Sequence, residues 1–129
     1  MTPAEAAALK AGDSLDRAVA EHIFSQVACP DWHYVMMGPS SGWMRNQPHA
    51  EHDCYPDQCP VQYSQLWATA GLVVEKMQQL GWSFDAGKPI NGPWQAVFTG
   101  DDLQEGANAE TFPEAVSRAA LAAVSKAES

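Results

Sequence analysis

All three cysteines of the chain and three of its four histidines fall within 31 residues: Cys29, His33, His49, His52, Cys54 and Cys59. Thiolate and imidazole donors at this density are the raw material of a tetrahedral zinc site, and zinc would pin a segment too polar to pack by itself. The spacings Cys29-x3-His33 and Cys54-x4-Cys59 lie near the usual ligand range, although no C-x-x-C pair is present. Cys29, His33, Cys54 and Cys59 are the preferred ligands, with His49 or His52 able to replace one of them. The competing reading is three reduced cysteines and solvated histidines in a loop.

Other chemistry has less support. His49-Ala50-Glu51-His52-Asp53 gathers imidazoles and carboxylates that could serve acid–base or metal work, but such a group in an acidic loop also reads as solvated surface. A cysteine nucleophile needs a base and a positive environment. Cys54 and Cys59 instead have Asp53 and Asp57 beside them, which disfavours the thiolate. No Walker loop, GxGxxG, GxSxG or HExxH occurs. The same region carries Trp32, Tyr34, Trp43, Met44 and Tyr55, which no periodic face claims. Exposed together they would form a partner-binding surface, with Trp43 and Tyr55 as anchors. Folded under the loop they would form a satellite core.

The elements that must position these residues surround a central stretch rich in proline. Residues 1–129 read as one domain, long enough to bury a core without staples. Thr2-Pro3-Ala4-Glu5 has the capping-box pattern of a short helix in an N-terminal extension, residues 1–13. Leu15, Val19, Ile23 and Val27 recur every four residues, predicting a helix from Asp13 or Ser14 to Cys29-Pro30. Periodicity is then lost over 29–60, a long irregular insertion with one short strand expected at Trp32–Met37. A second helix is predicted from Ser64 to Leu80, its apolar stripe being Leu66, Trp67, Ala70, Val73, Val74, Met77 and Leu80. Gly71 within it implies a close neighbour, and Gly81 is the expected cap.

Residues 82–86 and 94–99 form a hairpin around Asn91-Gly92, and a third strand fits between Leu103 and Ala109. Trp67, Trp82, Phe84, Trp94 and Phe98 are expected in the core. Thr111-Phe112-Pro113-Glu114 opens the last helix, whose inner face is Val116, Ala120, Val124 and Ala127 with Ala119 and Ala123 beside it.

Charge narrows the partners. Sixteen Asp and Glu against seven Lys and Arg give a net charge of −9. Phosphate neutralisation needs clustered basic residues, so direct nucleic-acid binding is not expected. A basic protein partner or a nucleic-acid mimic fits the balance, as does plain solubilisation. The first residues lack the apolar core of a signal peptide, and no run approaches the roughly 20 apolar residues of a spanning helix. An odd number of cysteines argues against a disulfide framework. Residence in the cytoplasm, away from membranes, is the expectation.

The segments LDRAVAEHIF, PVQYSQLWATAGLVVEKMQQLGW and NAETFPEAVSRAALAAV, in this order and with a tryptophan-bearing hairpin before the last, resemble the phage ABA sandwich domain family over residues 14–125. The resemblance implies a phage or prophage origin and an α+β fold, a layered helix–antiparallel sheet–helix sandwich with about three main helices and a small sheet. It implies no activity and carries over no catalytic residue, because the matching positions face the core. The expected function is that of a small accessory protein that binds a host protein, including host machinery or defence, rather than an enzyme. The rivals are a nucleic-acid binder or mimic and a metal-dependent enzyme built on the Cys/His loop. The layered topology is similar to that of double-stranded RNA binders, but the last helix carries only Arg118 and Lys126 as cations.

Overall fold

The computed structural model describes residues 1–10, 12–29, 32–35, 42–45, 54–56 and 60–128. The capping box at the N-terminus forms: the Glu5 backbone N–H donates to Thr2 Oγ1 at 3.1 Å, and the Thr2 N–H donates to Glu5 Oε1 at 3.4 Å. It opens helix α1, Pro3–Ala8, a short helix within the expected N-terminal extension. Helix α2, Asp13–His22, buries Leu15, Ala18, Val19 and Ala20, as the four-residue period predicts. It ends a full turn and more before Cys29. The chain leaves it through Ser25 at φ 55 and enters strand β1, Val27–Cys29, so Val27 lies outside the helix and is half exposed.

The central insertion is more regular than its composition suggests. Among the described residues it holds strands β2, Trp32–Val35, β3, Gly42–Arg45, and β4, Cys54–Pro56. β2 and β3 pair antiparallel, while β1 and β4 pair parallel, with Val27, Ala28 and Cys29 in register with Cys54, Tyr55 and Pro56. Segments of three or four residues are too short for alternation to stand out against loop composition.

Helix α3, Trp67–Gln79, begins three residues later than the stripe predicts. It buries Ala70, Val73 and Met77, and leaves Leu66 and Leu80 beyond its ends about half exposed. Gly71 has no close neighbour; a Cβ there would meet open space, so its presence has no packing reason. Gly81 does close the helix, at φ +97. Its N–H donates to the Gln78 carbonyl and that of Trp82 to the Met77 carbonyl, each at 3.0 Å, the paired bonds of a Schellman turn.

Strands β5, Ser83–Gly87, β6, Trp94–Thr99, and β7, Gln104–Ala109, form an antiparallel sheet in the order β5-β6-β7. The β5–β6 turn is closed by the Gly92 N–H donating to the Pro89 carbonyl. Register places Phe84 beside Phe98 and Ala96 beside Ala107, on the face that meets the helices. Ser83, Asp85, Gln95, Thr99, Gln104 and Asn108 alternate onto the other face, which is exposed.

Helix α4, Phe112–Glu128, is the hub. It packs on β6, β7, α3, α1 and α2, and Ala115, Val116, Ser117, Ala119, Ala120, Leu121 and Ala123 have no solvent exposure. Small side chains on several faces are what permit so many neighbours at once. The fold is therefore α+β, with four helices among the described residues and helices layered on a three-stranded antiparallel sheet. Among the described residues no helix is long and apolar enough to cross a membrane.

Candidate functional site

Of the six zinc candidates, His49, His52 and Cys59 lie outside the described residues, and for Cys29, His33 and Cys54 the description is of strand backbone. That backbone brings two of them together: Cys29 and Cys54 sit on the paired strands β1 and β4, two positions apart in register. His33 is on β2, which touches β4. Trp32, Tyr34, Trp43 and Met44 occupy the β2–β3 ladder, where Tyr34 pairs with Trp43 and Met44 with His33.

Tyr55 is not a surface anchor. It is 1% exposed, and its hydroxyl donates to Glu21 Oε1 at 2.9 Å with the Arg17 guanidinium 5.8 Å from the ring centre. Burial, and then the bond to Glu21, raise its pKa above the ordinary value. The flanking residues that suggested a free loop conceal a strand whose central side chain is a core residue.

The residues just before α3 are held just as firmly. Tyr63 is buried and stacks on Phe24 with ring centres 4.6 Å apart. The Ser64 backbone N–H and hydroxyl both donate to Asp16 Oδ1, at 2.7 and 2.6 Å, and Gln65 Nε2 donates to Asp16 Oδ2 at 2.6 Å. Asp16 is wholly buried on α2. Ser64 thus ties two elements together instead of capping α3, which has no side-chain cap.

This tie sets the start of α3 and places Trp67 at its first position. Helical side chains tilt toward the N-terminus, so a first-turn residue reaches past the layer beneath it. Trp67, expected in the core, is 60% exposed. Its ring stacks on Phe112 at 4.4 Å and 14°, and meets Trp94 edge-on at 5.4 Å. Phe112 in turn touches Trp94 and Phe84, and Phe84 touches the buried Phe98. A continuous aromatic path therefore runs from the core to solvent, ending in a tryptophan held by two other rings. Leu66, 47% exposed, precedes it, and the exposed Glu110 lies two residues before Phe112. The signal available in the sequence was surplus: Leu66, Trp67, Leu72 and Leu80 add more apolar side chains than one helix face can bury.

Such a surface suits binding. Large aromatic rings fixed by neighbours lose little freedom on association, and they dominate interface energies when desolvated.

The model of the phage ABA sandwich domain family matches residues 17–121. No curated protein matches the chain. Among solved structures it is similar to the crystal structure of a phage protein from Bacillus cereus, with a TM-score of 0.59 and 21% identity over 86% of this chain and 84% of that one. At that identity the likeness is one of fold.

Proposed function

This chain belongs to the phage ABA sandwich domain family, and on that premise we propose that it is a small phage accessory protein that works in the bacterial host by binding a host protein. The observation that carries the reading is the exposed Trp67, stacked on Phe112 and braced by Trp94. The acidic balance of the chain, −9, favours a partner with a basic surface. Masking a working surface of host machinery or defence is the effect such binding would have. The large apolar residues of β2 and β3, Trp32, Tyr34, Trp43 and Met44, are candidates for a further part of the same interface.

Trp67→Ala separates binding from folding. Because the ring is mostly in solvent, its loss is expected to lower stability by only about 1 kcal/mol, the worth of its ring contacts. Affinity for a host protein captured from lysate, then purified and titrated by calorimetry, is expected to fall roughly 30-fold, as for a hot-spot aromatic. Equal affinity for the wild-type and Trp67→Ala chains would remove Trp67 from the interface. Tight binding of duplex RNA or DNA at physiological salt, with no protein captured, would favour the nucleic-acid alternative.

A second reading, zinc, is supported by the backbone that gathers Cys29, Cys54 and His33 on strands in contact. With Cys59 these would supply a tetrahedral donor set, His49 or His52 being substitutes, and the metal would hold the insertion together. Protein purified without chelator is then expected to contain about one zinc per chain, and chelation to lower its melting temperature. Zinc-free protein whose melting curve ignores chelator would end this reading.

A further inference from the structure

At the far end of α3 from Trp67, where the helix meets the β6–β7 turn and the end of α4, the surface folds into a depression of about 390 Å³. Leu80, Trp82 and Leu103 supply its apolar wall, and the exposed Asp101 and Asp102 its polar one. The sequence explains the shape. The Gly81 turn sends Trp82 back across the sheet end, and its ring lies directly on Gly100. A Cβ at Gly100 would come within 3.1 Å of Trp82 Cζ3 and 3.3 Å of Cε3, so any larger residue would push the ring away. Leu80 is 52% exposed, so the apolar wall is open to an incoming group.

The lining selects its occupant. An apolar side chain would desolvate two carboxylates without pairing them, which is costly. An anion would meet Asp101, Asp102 and the negative end of the α3 dipole together. A cation on a long aliphatic stem satisfies every wall, its stem against Leu80 and Leu103 and its head between the Trp82 ring and the carboxylates. A planar guanidinium suits this best, since it stacks on an indole and pairs bidentately with a carboxylate. The nearest basic residue on α4, Lys126, has its ammonium 2.9 Å from Glu105 Oε1.

We propose that this depression receives an arginine side chain from a basic segment of the partner protein; the inference rests on the binding role proposed above. Trp67 and the depression stand at opposite ends of the 13-residue α3, roughly 20 Å apart at 1.5 Å per residue. One interface can span both.

The test needs no identified partner. The isotope-labelled full chain is titrated, at about 0.15 M salt, with the tetrapeptide acetyl-GRRG-amide and with its citrulline counterpart, which keeps the shape and loses the charge. Saturable shifts are expected at the Trp82 indole and the backbone of residues 100–103. Both the citrulline peptide and the Asp101→Asn, Asp102→Asn double variant are expected to bind at least about tenfold more weakly, as for loss of charge-assisted pairing. Both substituted positions are exposed, so the variant should keep the wild-type fold. Equal shifts with citrulline, an undiminished response in the double variant, or shifts scattered away from Trp82 would each overturn the proposal. Such an outcome leaves a Trp67-dependent interaction standing, and loss of Trp67 dependence leaves the peptide result standing.

Discussion

Asp16→Ala is expected to lower the unfolding free energy by about 3 kcal/mol or more, measured by urea denaturation. The side chain is wholly buried, and three donors converge on it: the Ser64 N–H, the Ser64 hydroxyl and the Gln65 amide. Alanine removes the acceptor and leaves these donors behind, each unsatisfied group costing about 1–3 kcal/mol where water cannot replace the partner. Asp16→Asn should be milder, about 1–2 kcal/mol, because its oxygen can still serve Ser64 while its amide faces that of Gln65. Ser64→Ala removes one bond of the three, and a double-mutant cycle with Asp16→Ala should show coupling above about 1 kcal/mol. A loss under about 1 kcal/mol for Asp16→Ala would mean that the joint between α2 and the start of α3 does not depend on this cluster.

The Asp16 cluster also marks the boundary between what the sequence discloses and what it conceals. The capping box at Thr2 and the Schellman glycine at 81 involve residues within five positions of one another, and both form. The hairpin forms as well, but its turn closes from Gly92 to Pro89 around Ile90-Asn91, with no positive φ at Asn91 or Gly92. The apolar periods of α2 and α4 are equally local: Leu15, Val19, Ile23, Val116 and Ala120 are buried as read, while Val124 is partly buried and Val27 and Ala127, at the ends of the two stripes, are exposed. Asp16 meets Ser64 across 48 residues, and Tyr55 meets Glu21 across 34. No spacing rule links such positions. Serine before an apolar run commonly caps a helix, and the predicted helix starts at Ser64, yet a buried carboxylate on another helix takes the same hydroxyl.

That competition moved the start of α3, and with it the candidate site. A helix beginning at Ser64 would carry Trp67 in its first full turn, over the sheet. A helix beginning at Trp67 hangs the ring beyond the sheet, on Phe112 and Trp94. The family resemblance could not reveal this shift, because its matching positions report the fold. Its Y-S pair is now explained structurally: Tyr63 stacks on Phe24 and Ser64 binds Asp16. The depression at Trp82 was hidden for a related reason. Its walls come from α3, the β6–β7 turn and α4, which no single stretch of chain brings together.

Tyr55→Ala should cost about 3–5 kcal/mol, the range for deleting a buried aromatic ring. Tyr55 is 1% exposed and, among the described residues, is the largest fully buried side chain, so the cavity left would be substantial. It also belongs to β4, whose parallel pairing with β1 would lose its buried anchor, so hydrogen exchange at the amides of residues 27–29, 54 and 55 should rise in parallel. Tyr55→Phe keeps the ring and removes the hydroxyl with its bonds to Glu21 and Arg17, for a loss of about 1 kcal/mol. Alkaline pH separates the two contributions. The folded-state pKa of Tyr55 is raised above 10.0, chiefly by burial and next by the Glu21 bond. Above pH 10 the unfolded chain ionises this phenol while the folded chain resists, so the unfolded state binds fewer protons and stability falls. Its contribution is full below pH 10 and is lost as pH rises through the raised value. The gap between wild type and Tyr55→Phe should therefore stay constant to about pH 10 and narrow beyond it. A surface tyrosine would behave otherwise: Tyr55→Ala would leave the denaturation midpoint unchanged, and alkaline pH would affect both chains alike. That result would return Tyr55 to the partner-binding surface and take away the anchor of β4.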